Sequence, residues 1–172
     1  GYNNWFKYAY IEKEYVTIQN SFFSISIDAV VYISYNKAKA DVEKQTIHGY
    51  PVIGSDDDMN NTQEPLSVVI AVGEPCLKEK IRRKYTNPLI SFPTLIHPTA
   101  IISDHKNVII GQGCIVCAGA IITADVIIKD FVTLNLLCTV GHDTIIEDYS
   151  AFMPSVNISG EVNVGKGVYV GT

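Results

Sequence analysis

Of the four histidines in this 172-residue chain, His142 is the one placed to do chemistry. It follows Val140-Gly141 and is followed at once by Asp143, with Asn135 seven residues earlier. An imidazole beside a carboxylate suits a general base at neutral pH, because the carboxylate orients the ring and stabilises the imidazolium. The other histidines have plainer readings. His48 lies in the loop Thr46-Ile-His-Gly-Tyr-Pro51 and reads as solvated; His97 precedes Pro98 and reads as a structural hydrogen-bonding residue; His105 reads as a surface residue. A zinc centre shared across subunits would need two more histidines level with His142, and His97 and His105 are too far along the chain to serve. Cysteines 114 and 117 form a C-x-x-C, but no second pair has zinc-ligand spacing. Cys114 and Cys138 instead read as small hydrophobes in a reduced protein, and no metal is expected.

The elements that position these residues follow from one period. From Ile110 to Val170 every sixth residue is apolar, eleven times in succession: Ile110, Val116, Ile122, Ile128, Leu134, Val140, Ile146, Phe152, Ile158, Val164 and Val170. Two residues before each stands a small or apolar residue, Cys114 and Cys138 among them. A hexapeptide period predicts a parallel β-helix, in which six residues make one flat strand and its corner and three such faces close a coil. Coils stack at roughly 4.8 Å, each using its neighbour's backbone as hydrogen-bond partner. His142 falls two residues past an interior aliphatic, which puts its ring outward at a corner, where it does no packing for its own coil. Asn135 falls one coil face away. The step from Ile102 to Ile110 is eight residues, so two residues near 104–107 bulge from a corner without breaking the stack. The solenoid is expected over 93–172, just over four coils. The pattern is still in phase at Val170-Gly-Thr172, and since solenoids end on atypical caps, further coils are expected beyond it.

Residues 1–92 lack the period. Ala29–Ser34 reads as a strand, Tyr50–Gly54 as a short apolar segment, and Leu66–Gly73 as a strand buried on both faces of a parallel sheet. Gly73-Glu-Pro then leads into a helix predicted over 76–85, with Pro75 at its start and Leu77 and Ile81 on one face. Strand, turn and helix make a βα unit and imply an α/β domain with a crevice at the carboxyl ends of its strands. Residues 1–28 are dense in aromatics and show no period. A net charge of −5 argues against nucleic acid as a partner. The one basic run, Lys78 to Lys84, reads as the solvated face of a helix. No apolar stretch is long enough to span a bilayer, and a cytoplasmic protein is expected.

These pieces occur in an order that resembles a known family. Ile47-His-Gly-Tyr-Pro-Val-Ile-Gly54, Val69-Ile-Ala-Val-Gly73, Ile96-His-Pro-Thr-Ala100, Leu134-Asn135, Val140-Gly-His-Asp143 and Ser159-Gly-Glu-Val-Asn-Val-Gly165 are similar to segments of the sialic acid O-acetyltransferases and UDP-amino-sugar N-acetyltransferases. The resemblance implies a Rossmann-like α/β substrate domain (1–92) joined to a left-handed β-helix acetyltransferase domain (93–172), working as a homotrimer with acetyl-CoA as co-substrate. It makes His142 the general base, Asp143 its acidic neighbour and Asn135 an active-site asparagine. Gly160 and Thr172 would line the acetyl-CoA site, and Asn36, Lys37 and Gly73 the sugar site. The chain departs from the family at its start. No glycine cluster that could cradle a nucleotide's phosphates precedes residue 49, and Ser34-Tyr-Asn-Lys37 stands where acidic residues usually follow the second strand. Two other classes fit the solenoid alone: a non-catalytic trimeric scaffold, and a zinc-dependent β-helix of the carbonic anhydrase type.

Overall fold

The computed structural model of the chain describes residues 9–10, 29–32, 46–47, 50–54 and 56–171, with side chains from residue 58 onward. The described residues of the N-terminal part form a sheet of six strands: β1 (Ala9–Tyr10), β2 (Ala29–Tyr32), β3 (Thr46–Ile47), β4 (Tyr50–Gly54), β5 (Leu66–Ala71) and β6 (Ile90–Ser91), in the spatial order β3-β4-β1-β2-β5-β6. The sheet is mixed. β5 lies parallel to both β2 and β6, as its unbroken apolar run predicts, while β1 pairs antiparallel with β2 and β4 and β3 pairs antiparallel with β4. Two helices accompany it among the described residues, α1 (Asp56–Asn60) and α2 (Pro75–Arg82). Pro75 occupies the first turn of α2, where its missing N–H is no loss, and the Glu74 carboxylate caps the N–H groups of Cys76 and Leu77. The helix stops at Arg82, three residues short of the predicted end, because Arg83 and Lys84 close it with backbone bonds to Glu79 and Ile81. That turn frees Tyr85 to enter the core against Phe92.

From Leu95 onward the chain is a parallel β-solenoid of just over four coils. One face stacks Leu95–Ile96, Ile115–Val116, Thr133–Leu134, Ala151–Phe152 and Tyr169–Val170; the second stacks Ile101–Ile102, Ile121–Ile122, Thr139–Val140 and Asn157–Ile158; the third stacks Ile109–Ile110, Ile127–Ile128, Ile145–Ile146 and Asn163–Val164. The second residue of each pair turns inward. Ile122, Leu134, Val140 and Ile146 are fully buried, with Cys114, Ala120, Val126, Val132 and Cys138 filling the space beside them. Each such large aliphatic contributes about 1.5–3 kcal/mol by leaving water. The eight-residue step near 104–107 bulges at a corner as expected, held by Asp104 accepting from the N–H groups of Lys106 and Asn107. Ile109 still stands opposite Ile127.

The corners obey the period as strictly as the faces. Ten successive positions six residues apart, from Gly113 to Gly167, have positive φ, and seven of them are not glycine: Asp125, Phe131, Leu137, Asp143, Tyr149, Ser155 and Glu161. The left-handed conformation costs a non-glycine residue roughly 1–2 kcal/mol. The stack offsets this cost, because the N–H of each of these residues from Phe131 to Gly167 donates to a carbonyl of the coil before it, as in Phe131 to Gln112 and Leu137 to Ala118.

One corner carries the N-terminal sheet. Phe131 and Tyr149 stack face to face there at 5.3 Å, and Phe92 meets Phe131 edge-on. Arg82 of α2 lies over the Phe92 ring at 4.4 Å. Lys78, expected on a solvated face, is instead 1% exposed, and its Nζ donates to the Phe131 carbonyl (3.1 Å) and to Thr133 Oγ1 (2.5 Å). The basic run misleads because α2 lies flat on the solenoid, so a side chain that would meet water on a free helix meets a coil corner. The exposed end of this seam is closed by Glu79, which pairs with both Lys166 and Arg83.

Candidate active site

His142 and Asp143 form the tip of the corner between the second and third faces. Gly141 opens the turn, His142 takes its first central position, and Asp143 takes the left-handed one (φ 55°). Both side chains point outward, 60% and 59% exposed, so neither packs the coil. The His142 Nδ1–H donates to Asp143 Oδ2 at 2.7 Å, which leaves the lone pair on Nε2. The hydrogen bond to Asp143 is the main force holding the His142 pKa above its usual value; desolvation opposes it, and the charges of Asp143, Glu161 and Asp125 add to it. This corner can present a basic nitrogen to a ligand arriving from outside the coil.

The next coil brings Gly160 beneath the ring. A Cβ at this glycine would stand 2.7 Å from His142 Nε2, 2.9 Å from Cε1 and 3.0 Å from Cδ2. Only a residue without a side chain lets the imidazole lie where it does. Gly141 is held the same way, since a Cβ there would collide with the backbone of Ser159 and Gly160. The two glycines thus let successive turns close up, and the Glu161 N–H reaches the His142 carbonyl at 2.7 Å.

Asn135 belongs to the preceding corner of the same coil, one face away. Its Oδ1 accepts from the Leu136 N–H (2.8 Å), and its own N–H bonds to the Phe152 carbonyl, which sets Met153 beside it in the stack. Gly73, just past β5, approaches the same edge: a Cβ on it would lie 3.9 Å from Met153 Cε. The structure therefore gathers the sequence-named residues into two groups, His142, Asp143 and Gly160 at one corner and Asn135 with Gly73 at the other. A face of six residues separates them, up to about 20 Å at ~3.3 Å per residue. Asn36, Lys37, His48 and Thr172 lie outside the described residues. His97 binds Thr99 through its Nδ1, a local turn contact. Among the described residues no group of three His, Cys, Asp or Glu side chains could hold a metal ion, and none of their helices is long and apolar enough to cross a membrane.

Three features of the site went unread in the sequence: the contact of Gly160 with the His142 ring, the carboxylates of Asp125 and Glu161 flanking Asp143, and Met153 between Gly73 and Asn135. The signal for the first two was the eighteen-residue coil, which places residues 124, 142 and 160 in one column and 125, 143 and 161 in the next; the approach of Gly73 to Met153 had none.

No protein-family model matches the chain. Among solved structures, it is similar to a His-to-Asn variant of perosamine N-acetyltransferase from Caulobacter crescentus in complex with CoA and GDP-perosamine, at 30% identity and a TM-score of 0.66, over 72% of this chain and 59% of that one. It is also similar to WeeI from Acinetobacter baumannii AYE, at 26% identity and a TM-score of 0.63, over 71% of this chain and 57% of that one. The chain thus spans under three fifths of the length of either. In repeat and in fold, the chain is similar to the hexapeptide-repeat, left-handed β-helix acyltransferases that its sequence resembles.

Proposed function

We propose that this chain transfers the acetyl group of acetyl-CoA to the amine of a nucleotide-linked sugar, with His142 as general base. The observation that carries the reading is the imidazole held at an exposed corner by Asp143 on its Nδ1 side, with its Nε2 over the bare backbone of Gly160. The likeness to an acetyltransferase solved with CoA and GDP-perosamine supports an amine rather than a hydroxyl acceptor. In the reaction the amine nitrogen attacks the thioester carbonyl carbon. A C–N bond forms, His142 Nε2 takes the proton released from nitrogen, the C–S bond breaks, and the proton passes to the departing sulfur. A positioned base of this kind contributes roughly 10²- to 10⁴-fold in rate. Asp143 fixes the tautomer and stabilises the imidazolium. Gly160, and Thr172 further along the chain, would line the path of the acetyl-CoA arm.

The parallel strands β2, β5 and β6 with α2 are, in this reading, part of a Rossmann-like domain (1–92) that presents the sugar through Asn36, Lys37 and Gly73. The solenoid (93–172) is the acetyltransferase domain. One protomer keeps Asn135 and Gly73 a full face away from His142, so the working unit is a homotrimer in which one subunit's corner faces a wall of the next. The faces on either side of the His142 corner support this, since Ile101, Ile109 and Ile121 are 54%, 59% and 36% exposed there. The free cysteines accord with a cytoplasmic setting. The test is calorimetric titration with acetyl-CoA, followed by coenzyme A release with nucleotide-linked amino sugars, for the wild type and His142→Ala. Binding by both and turnover by the wild type alone is the expected result. Absence of binding by either, or full turnover by His142→Ala, would remove the proposal.

A further inference from the structure

We infer that Asp125 and Glu161, which contact neither ring nitrogen, are positioning residues for His142, acting through a column of three carboxylates that runs along its corner of the solenoid. The inference rests on the reading of His142 as the base and adds residues from the coils on either side.

The column follows from register. The flanking strands pair Ile122 with Val140 and Val140 with Ile158, so the turns at 123–126, 141–144 and 159–162 lie directly above one another. Within them the left-handed positions are Asp125, Asp143 and Glu161, with φ of 55°, 55° and 60°. Backbone bonds lock the stack: Asp143 N–H to the Ala124 carbonyl at 3.2 Å and Glu161 N–H to the His142 carbonyl at 2.7 Å. Successive coils lie about 4.8 Å apart. Three exposed carboxylates therefore stand one coil apart, with the His142 ring beside the middle one.

This arrangement is not a by-product of how corners are built. The positive-φ ladder has ten rungs, three at the histidine's corner and seven at the other two. All three at the histidine's corner are acidic. The other seven are Gly113, Gly119, Phe131, Leu137, Tyr149, Ser155 and Gly167, none of them acidic. Aspartate is enriched in the left-handed region, but glutamate is not, so conformation does not account for Glu161. Like charges stacked at this spacing repel, which disfavours the fold. What the column gains is a negative field on a ring that must become positively charged, and the charges of Glu161 and Asp125 raise the His142 pKa behind the hydrogen bond that the ring donates to Asp143. The remaining charged groups at this corner, Asp104, His105 and Lys106, belong to the bulge of the first coil, about 10 Å below His142 by coil spacing.

The test is an NMR titration of the His142 ring in the wild type, Asp125→Asn, Glu161→Gln and the double variant, at low and high salt, with His97 as internal reference. The His142 midpoint is expected to fall in each single variant and further in the double. The differences should shrink as salt rises, because exposed charges are screened, while His97 stays in place. In acetyl-transfer assays the acid limb of the rate profile should move to lower pH with the midpoint, and the folded state should be no less stable, since repulsion has been relieved. A corner-forming role alone would leave the midpoint unchanged and lower stability. An unmoved midpoint in both single variants overturns the inference whether or not the protein acetylates. A moved midpoint in a protein without transferase activity upholds the column and removes the function on which its purpose was argued.

Discussion

Lys78 gives the sharpest test of how the sheet is fastened to the solenoid. Its ammonium is buried at the seam and bonded to one carbonyl and one hydroxyl, with no carboxylate among these partners. Burial pushes its pKa down to about 8 from an ordinary 10.5, against a small opposing interaction with Cys114. At ~1.4 kcal/mol per pH unit this corresponds to roughly 3 kcal/mol by which the charged form is disfavoured in the fold. The sign follows from proton counting. Between about pH 8 and 10.5 the unfolded chain holds a proton that the folded chain has released, so stability rises with pH in that window. Cys114 works the other way: burial raises its thiol to about 11 from 9.0, so the folded state keeps a proton the unfolded chain loses, and stability falls over that range. Thiol ionisation in the unfolded chain begins below pH 9, and burial raises Cys117 and Cys138 as well, so the Lys78 share, about 1 kcal/mol between pH 8 and 9, is read as the difference between the wild type and a variant without the lysine.

Lys78→Met keeps the volume and the apolar stem but removes the titrating group. Chemical denaturation at about pH 8 and about pH 9 should show the wild type gaining about 1 kcal/mol relative to the variant, since the thiols contribute equally to both. Near neutral pH the variant loses the desolvation penalty but leaves the Phe131 carbonyl and Thr133 hydroxyl without their donor, at about 1–3 kcal/mol per orphaned group. With about 3 kcal/mol regained and about 2–6 lost, the net is expected to lie between about 1 kcal/mol more stable and about 3 kcal/mol less stable. If Lys78→Met follows the same pH dependence as the wild type between these values, Lys78 does not release its proton there and is not buried at the seam as described.

Two further outcomes follow from the glycines. Gly160→Ala places a methyl against the His142 ring, which is exposed and free to swing away, so the fold should survive while acetyl transfer falls by about 10²-fold, the order expected when a reacting group is displaced by about 1 Å. Parallel measurements of acetyl-CoA affinity and of turnover would check this, and a wild-type rate would show that the ring does not need its present position. Gly113→Ala meets the Phe131 ring and must also adopt φ of 66°, so chemical denaturation should report a loss of roughly 2–4 kcal/mol; unchanged stability would contradict the packing of that corner.

The solenoid was legible because its physics is one-dimensional: each interior position answers only to the positions above and below it, and Ile122, Leu134 and Val140 declare themselves by period alone. The pairing of His142 with Asp143 was legible for the same reason, since adjacency in sequence is adjacency at a corner. What escaped the sequence involves the third dimension. Phe131 and Tyr149 give no local sign of left-handed backbone, because neighbouring coils impose that conformation and the residues' own propensity does not. Lys78 looks solvated on any helical wheel, and only the docking of α2 on the coil buries it. Gly160 stood out through a resemblance, yet its contact with the imidazole becomes visible only when the chain is counted in steps of eighteen. The aromatic-rich segment over 1–28 gave no period and lies outside the described residues apart from 9–10.

The positive-φ ladder gives the solenoid something like a reading frame. A change in chain length that is not a multiple of six must be absorbed locally, as the bulge after Ile102 absorbs its two residues and hands Ile109 back in phase with Ile127. A deletion of six residues between Phe92 and His142 would keep every interior aliphatic in place, yet it would turn the histidine a third of a revolution about the axis, away from the corner it shares with Asp125 and Glu161. A deletion of eighteen would leave its bearing unchanged and bring it one storey closer to the N-terminal sheet. The same His-Asp pair thus has three compass directions and several floors open to it without any new core, and relatives built on this coil can relocate their reacting group by whole quanta of chain.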